Sequence, residues 1–348
     1  MLQSVLQAYG LKNDSLEVRA FGSGLINNTW LVKTNDDDFI LQRINTAIFK
    51  EPLHIAQNIE MISAYFSKNY PEYLFVVPVK TVAGDEFFYD IREGYFRMFP
   101  FVPGSHTMDV VQSDVQAYEA ARQFGKFTRL LSGFDLSTLK ITIPDFHNLT
   151  LRYQQFQQAL THGNAERIKE SARAISEIKE NVHIAEEFEK IKKNPDFKLR
   201  VIHHDTKISN ILFDDNNRGL CVIDLDTVMP GYFISDLGDM LRTYLSPVSE
   251  EEKDYSKIEI RDEFFRSIIR GYAGEMKDEL SGTEKKYFVY AGKFMIYMQA
   301  LRFLTDYLNN DVYYGSAYTG HNFIRANNQL VLLAKLGEKE SLFSHITL

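Results

Sequence analysis

The chain has 348 residues, of which 45% are hydrophobic and 25% charged, with a formal net charge of −8 and one cysteine. This is the balance of a folded protein long enough for two lobes, and it argues against a disordered chain, a disulfide scaffold and a basic nucleic-acid binder. Residues 1–11 lack the basic and apolar stretches of a signal peptide, and the most apolar helical stretch, 294–304, contains Gln299 and Arg302. The expectation is therefore a cytoplasmic protein with no membrane or nucleic-acid partner. Cys221 lies in an apolar run and reads as a small core residue.

Residues 1–100 read as strands with one helix. Runs 16–21, 28–33 and 39–43 are short and apolar or alternating, and Asp36-Asp37-Asp38 predicts a hairpin turn between the last two. Residues 53–66 carry Ile55, Ile59, Ile62 and Phe66 at helical spacing. Strands resume at 73–78, 86–89 and 95–99. Pro100-Phe-Val-Pro-Gly104 is a stiff connector, after which the periodicity becomes helical. A helix opens on the capping box Ser113-x-x-Gln116 and ends near Gly133. Others follow at 149–160, 165–181, 250–276, 283–308 and 322–336. They are interrupted by a β-hairpin at 211–225 that turns at 214–219. This order predicts an α+β fold: a small β-rich lobe over 1–100, a larger, mostly helical lobe over 101–348, and a nucleotide cleft between them.

The chemistry concentrates in His203-His-Asp205-Thr-Lys207-Ile-Ser-Asn210 and the later Ile223-Asp224-Leu-Asp226. Phosphoryl transfer needs one carboxylate to deprotonate an acceptor hydroxyl, plus an amide and a second carboxylate to hold Mg²⁺. Asp205 is the candidate base, and Asn210 and Asp224 the candidate metal ligands. Each taken alone is an ordinary turn residue. It is the joint spacing, with a hairpin returning the chain to its start, that points to catalysis. Lys207 reads equally as a γ-phosphate or substrate contact and as a solvent-facing lysine. His203 and His204 have no companions at metal-ligand spacing, so one of them is expected to pack behind the loop and hydrogen-bond its backbone. Asp226 either assists a second metal or stands behind the site, and Asp236 is expected to cap the helix after it and orient the metal loop.

The turn Phe21-Gly22-Ser23-Gly24-Leu-Ile-Asn27-Asn28 is a weak phosphate-binding signal, since most Gly-x-Gly turns are merely turns. It gains weight from the strand that follows, which ends in Gln42-Arg43. A cation there would hold the α- and β-phosphates; Arg43 supplies one, although alternation lets only one of the two residues face the cleft. Glu60 would be its counter-ion, or equally a surface glutamate. Phe99 and Phe101, with Met98, would wall the adenine.

On these residues the chain resembles the aminoglycoside phosphotransferase/choline kinase superfamily, and within it most closely the N-acetylhexosamine 1-kinases. The resemblance runs nearly the whole length. It includes Gly22-Ser-Gly-x-Ile-Asn27-x-Thr29, Leu41-Gln-Arg-Ile-Asn45, Ile143-Pro-Asp-Phe-His147 with Arg152, Asp224-Leu-Asp-Thr-Val-Met-Pro-Gly231, Arg302-Phe-Leu-Thr-Asp-Tyr307 and His321-Asn322 with Arg325. It implies a protein-kinase-like fold, ATP with Mg²⁺, and phosphorylation of the anomeric hydroxyl of N-acetylglucosamine or N-acetylgalactosamine. It also implies roles as base for Asp205, as metal ligands for Asn210 and Asp224, and as a sugar contact for Arg302. The strand lysine usual in the wider superfamily is absent, replaced by Gln42-Arg43. The rival readings are a kinase of choline, homoserine or an aminoglycoside, and a non-catalytic nucleotide-binding pseudokinase.

Overall fold

The computed structural model describes residues 2–11, 16–22 and 26–343. It forms two compact units, each discontinuous in sequence: Met1–Asp109 with Gly133–Pro144 and Ser209–Pro230, and Val110–Ser132 with Asp145–Ile208 and Gly231–Leu348. The sequence-based boundary near residue 100 treated each lobe as a single stretch. The segments around 140 and 220 instead belong with the N-terminal sheet. Asn58 shows why: its buried side chain donates to the carbonyls of Lys140 (2.9 Å) and Val228 (3.0 Å) and accepts from the Lys140 amide at 2.8 Å.

In the first unit, a short helix α1 (Gln3–Ala8) precedes β1 (Glu17–Ala20), β2 (Asn28–Lys33) and β3 (Asp38–Arg43). Then come α2 (Pro52–Asn69), β4 (Phe88–Asp90) and β5 (Gly94–Pro100). The strands form one antiparallel sheet in the order β1-β2-β3-β5-β4. Alternation gives it two different faces. Val32, Leu41, Phe96 and Met98 pack on Val5, Leu6 and Tyr9. The other face carries Thr29, Gln42 and Arg97 side by side, since Thr29 pairs with Gln42 and Gln42 with Arg97. Residues 73–78 are not a strand. Tyr73 and Phe75 pack at a tilt against Phe66 of α2 (ring centroids 4.6 and 5.0 Å), and the neighbouring Val79 makes an isolated bridge to Met98. The apolar run packs as a coil instead of joining the ladder. The hairpin Ile211–Phe213/Gly219–Val222 completes the unit.

The second unit is helical: α3 (Asp114–Leu130), α4 (Leu149–His162), α5 (Ala165–Glu170), α6 (Ala172–Glu180), α7 (His183–Lys193), α8 (Phe233–Tyr244), α9 (Asp262–Glu275), α10 (Phe288–Leu308), α11 (His321–Glu338) and α12 (Glu340–Phe343). The Ser113/Gln116 capping box forms at the start of α3. The helix expected over 165–181 is two helices meeting at Ser171. The one expected from residue 250 begins only at Asp262. Residues 250–261 are instead held by side-chain bonds, among them Arg261 to the carbonyls of Tyr244 and Leu245 (2.6 and 3.1 Å). Among the described residues no helix is long and apolar enough to cross a membrane.

Helices α8 and α10 touch backbone to backbone. A Cβ on Gly238 would lie 2.3 Å from the Ala291 carbonyl oxygen and 3.0 Å from Met295 Cβ. Gly238→Ala should therefore force the helices apart and cost about 1–3 kcal/mol, the range for overpacking a close contact. Thermal unfolding should show a clear drop in Tm.

Candidate active site

After the extended run Arg200–Ile202, the candidate catalytic loop is hung on two aspartates of α8. Asp236 Oδ2 accepts the His203 amide (3.0 Å) and Oδ1 the His204 amide (2.7 Å), while Asp239 Oδ2 accepts the Thr206 amide (2.9 Å). The Thr206 hydroxyl donates to the Asp236 carbonyl at 2.8 Å, and the Tyr244 hydroxyl donates to the Thr206 carbonyl. Asp236 does not cap α8: the residue in the N-cap position is Tyr232, with no side-chain cap bond. The side chain is spent on the loop. Complete burial pushes its carboxyl up to about 7, against the opposing pull of those two amides.

His204 has a left-handed backbone (φ 67°), and a Cβ on Gly231 would fall 2.5 Å from its Nε2, so position 231 has room only for glycine. His203 lies edge-on to Phe124 at 5.2 Å, and its Nδ1 accepts the Asp205 amide at 3.3 Å, which is the packing role expected of one of the pair. Asp205 is thereby fixed on both sides. Lys207 Nζ stands 3.2 Å from its Oδ1, and that carboxylate raises the ammonium above its ordinary value. Behind Asp239 a charged chain runs through Arg242 (3.0 Å) to Glu250 (2.7 Å) and on to Arg325.

Arg302, on α10, lines a cavity of about 640 Å³ with Arg152, Gln155, Asp306, Tyr313 and Tyr314 among its walls. Its guanidinium sits over the rings of Phe146, Tyr313 and Tyr314 at 5.8, 5.7 and 5.3 Å, and Arg325 lies over Tyr314 at 5.3 Å. Asp306 spends its carboxylate on the amides of Tyr313 and Tyr314 (2.7 and 2.9 Å) and on Asn322 (3.1 Å). The cavity is left electropositive: burial and the neighbouring Arg302 charge lower Arg152. His147, stacked on Phe146 at 4.5 Å and edge-on to His204 at 5.2 Å, is held neutral by burial and by the positive groups around it. The path from Arg302 through Phe146 and His147 to His204 leads to the residue beside Asp205.

In the first unit the hairpin brings Asn210 and Asp224 to one end. Ile211 pairs with Val222, and the Asn210 carbonyl accepts the Ile223 amide at 2.9 Å. Asp224 has φ 59°, a costly backbone for a non-glycine residue and one that recurs at functional sites. An amide oxygen and a carboxylate are hard donors suited to Mg²⁺, which takes a few protein oxygens and leaves the rest to phosphate and water. Asp226, two residues on, has both oxygens in protein contacts: Oδ1 with Arg97 Nη1 (2.5 Å) and Oδ2 with Asn27 Nδ2 (2.7 Å). Gly22 has φ 77° with open space where a Cβ would be, while Ser23 and Gly24 lie outside the described residues.

Of Gln42 and Arg43, Gln42 shares the sheet face with Arg97 and the 224–227 turn. Arg43 is on the core face, paired with Glu93 (2.5 Å) and with the Asn28 side chain (2.9 Å). Glu60 is exposed on α2 and lines a cavity of about 740 Å³ with Glu86 and Tyr95; the carboxylate that meets Arg43 is Glu93. Phe99 lies under Arg97 (4.9 Å), and Phe101 is edge-on to Phe21 (6.4 Å). Arg97 was not among the expected site residues. Its signal was an arginine in the middle of the apolar run Tyr95-Phe-Arg-Met-Phe, where a buried charge must have a partner.

The family model described as the phosphotransferase enzyme family, APH, matches residues 17–278. Among solved structures, the chain is similar to a microcompartment-associated aminopropanol kinase at 17% identity (TM-score 0.63; 98% of this chain and 97% of that one covered). It is also similar to an aminoglycoside phosphotransferase from Alicyclobacillus acidocaldarius at 12% (0.63; 99% and 97%) and to an amicoumacin kinase in complex with AMP-PNP and Ca²⁺ at 14% (0.62; 98% and 92%). What these likenesses share is the kinase-like α+β fold.

Asp236→Ala removes the acceptor of two backbone amides. Each buried donor left unsatisfied costs about 1–3 kcal/mol, so denaturant unfolding should show a large loss of stability. Glu60→Ala, on an exposed helix face, should stay within about 0.5 kcal/mol of the parent.

Proposed function

Since the chain belongs to the phosphotransferase enzyme family, we propose that it is an ATP- and Mg²⁺-dependent small-molecule kinase whose acceptor is the anomeric hydroxyl of an N-acetylhexosamine. The observation that carries the acceptor reading is the charge of the cavity around Arg302. Its carboxylate, Asp306, is consumed by backbone and amide donors, its two arginines are unneutralised by it, and a guanidinium already stands over each tyrosine ring, Arg302 over Tyr313 and both Arg302 and Arg325 over Tyr314. A quaternary ammonium seeks open aromatic faces, and a polyamine seeks carboxylates. Here a cationic acceptor would meet arginines standing over those rings and a carboxylate already spent. A neutral polyol with a carbonyl group finds guanidinium donors, amides and aromatic walls. That favours an N-acetylated sugar over choline or an aminoglycoside.

The placement of the residues supports the following roles. Asp205, fixed by the Asp236 and Asp239 anchors, accepts the proton of the attacking hydroxyl. Lys207 stands beside it as a cation for the transferring group. Asn210 and Asp224 offer the amide and carboxylate oxygens for the cation, and the backbone at Gly22 is open to close approach by phosphate, with Phe99 and Phe101 as the apolar wall for the base. Bound ATP supplies the phosphoryl group and Mg²⁺ the charge that offsets it. The nucleotide analogue and divalent cation held by the amicoumacin kinase support this cofactor pair.

The test is acceptor-stimulated ADP release. N-acetylglucosamine or N-acetylgalactosamine should stimulate it, and choline, homoserine and kanamycin should not; stimulation by a cationic acceptor alone would overturn the sugar assignment. Asp205→Asn should lower kcat about 100-fold or more while nucleotide affinity stays within about twofold. Arg302→Met should raise the acceptor KM with the nucleotide KM unchanged.

A further inference from the structure

Arg97 lies on β5 with its side chain completely buried, and the Asp226 side chain it meets is 3% exposed. The two touch at 2.5 Å as an ion pair rather than an aligned hydrogen bond. The rest of the guanidinium is held across the sheet. Nε and Nη2 donate to Gln42 Oε1 (3.1 and 2.9 Å), and Gln42 Nε2 donates to Thr29 Oγ1 at 3.3 Å. Asp226 has a second holder in Asn27 Nδ2 (2.7 Å), and Asn27 Oδ1 accepts the Asn45 amide at 3.0 Å. One carboxylate thus ties three pieces together: the sheet through Arg97, the start of β2 through Asn27, and the 224–227 turn on which it stands.

We infer that the Arg97–Asp226 pair is a positioning device for nucleotide binding, setting Asp224 and Asn27 in place from β5, the strand next to β3. The inference rests on the kinase reading. Two physical points favour it over a purely structural pair. A buried ion pair is weak evidence of stability, because apolar residues of similar volume often serve as well or better. And Asp224, two residues from Asp226, holds a left-handed backbone that persists only where its surroundings enforce it. With one oxygen against Arg97 and the other held by Asn27, Asp226 acts on a bound cation through the placement of Asp224. Gln42 is the direct cross-strand partner of Arg97, so a lysine at position 42 would put the charge on β3 on the same face.

Calorimetric titration of Mg·AMP-PNP into the full chain tests this, with Mg²⁺ half-saturation as a second readout. Arg97→Met/Asp226→Leu removes both charges and so leaves neither one buried alone. It should remain folded, bind Mg·AMP-PNP at least tenfold more weakly and require more Mg²⁺, with the acceptor KM within twofold. Arg97→Met/Gln42→Lys, which keeps Asp226 and moves its cation one strand over, should recover most of the affinity, a rescue that a packing role would not produce. A folded charge-free variant with parental affinity would overturn the inference. If that variant does not fold, Asn27→Ala decides: threefold or greater weakening supports the inference, and unchanged affinity overturns it. A parent chain that binds no Mg·AMP-PNP would remove the kinase reading itself and the inference with it, whereas parental binding with indifferent variants removes the inference alone.

Discussion

Two buried carboxylates of α8, Asp236 with help from Asp239, set the shape of the loop on which the candidate chemistry depends. A short extended run leads into the left-handed residue His204, whose amide and that of His203 before it need acceptors. Asp236 takes both. The cost is a carboxyl group in a site that disfavours its charge, and α8 must run close enough to α10 for Gly238 to be necessary. Gly231 meets a matching requirement against the His204 ring. Asp205 is therefore presented by a scaffold whose members, one by one, have no catalytic chemistry.

The same device recurs in the other unit. The turn after Asp224 is strained, and the side chain that ties it down, Asp226, is again a buried carboxylate with both oxygens engaged. The two anchors differ in their partners: backbone amides for Asp236, a guanidinium and an amide side chain for Asp226. Around Arg302 the logic is reversed. There the carboxylate of Asp306 is spent on the backbone, so the arginines are left to define the cavity. In each case the location of a buried acid decides what charge a nearby ligand would meet.

Much of this was legible in the residues. The Asp205, Asn210, Asp224 spacing and the returning hairpin were readable because both are local: five residues of loop, then a turn of polar residues between apolar strands. The sheet strands showed in their alternation, and α3 in its capping box. Partnerships between distant residues were not readable. Asp236 looked like a helix cap because it stands near a helix start, and only the tertiary fold brings it to the amides of His203 and His204. The charged stretch at 250–261 has helix-favouring composition, but Arg261 and Glu250 bond outward and hold it open. Of Gln42 and Arg43, alternation said that they lie on opposite faces, and the register puts Gln42 with Arg97 and Arg43 with Phe96. Arg97 itself was visible only as an anomaly, a charge inside an apolar strand.

The most direct measurement of the central claim is the position of phosphate in the product. Incubation with ATP, Mg²⁺ and N-acetylglucosamine or N-acetylgalactosamine, followed by proton-coupled phosphorus NMR, should give a sugar phosphate signal coupled to the anomeric proton, and none with Asp205→Asn. A phosphate coupled to any other carbon-bound proton of the sugar, or equal product from the Asp205→Asn chain, would contradict the account.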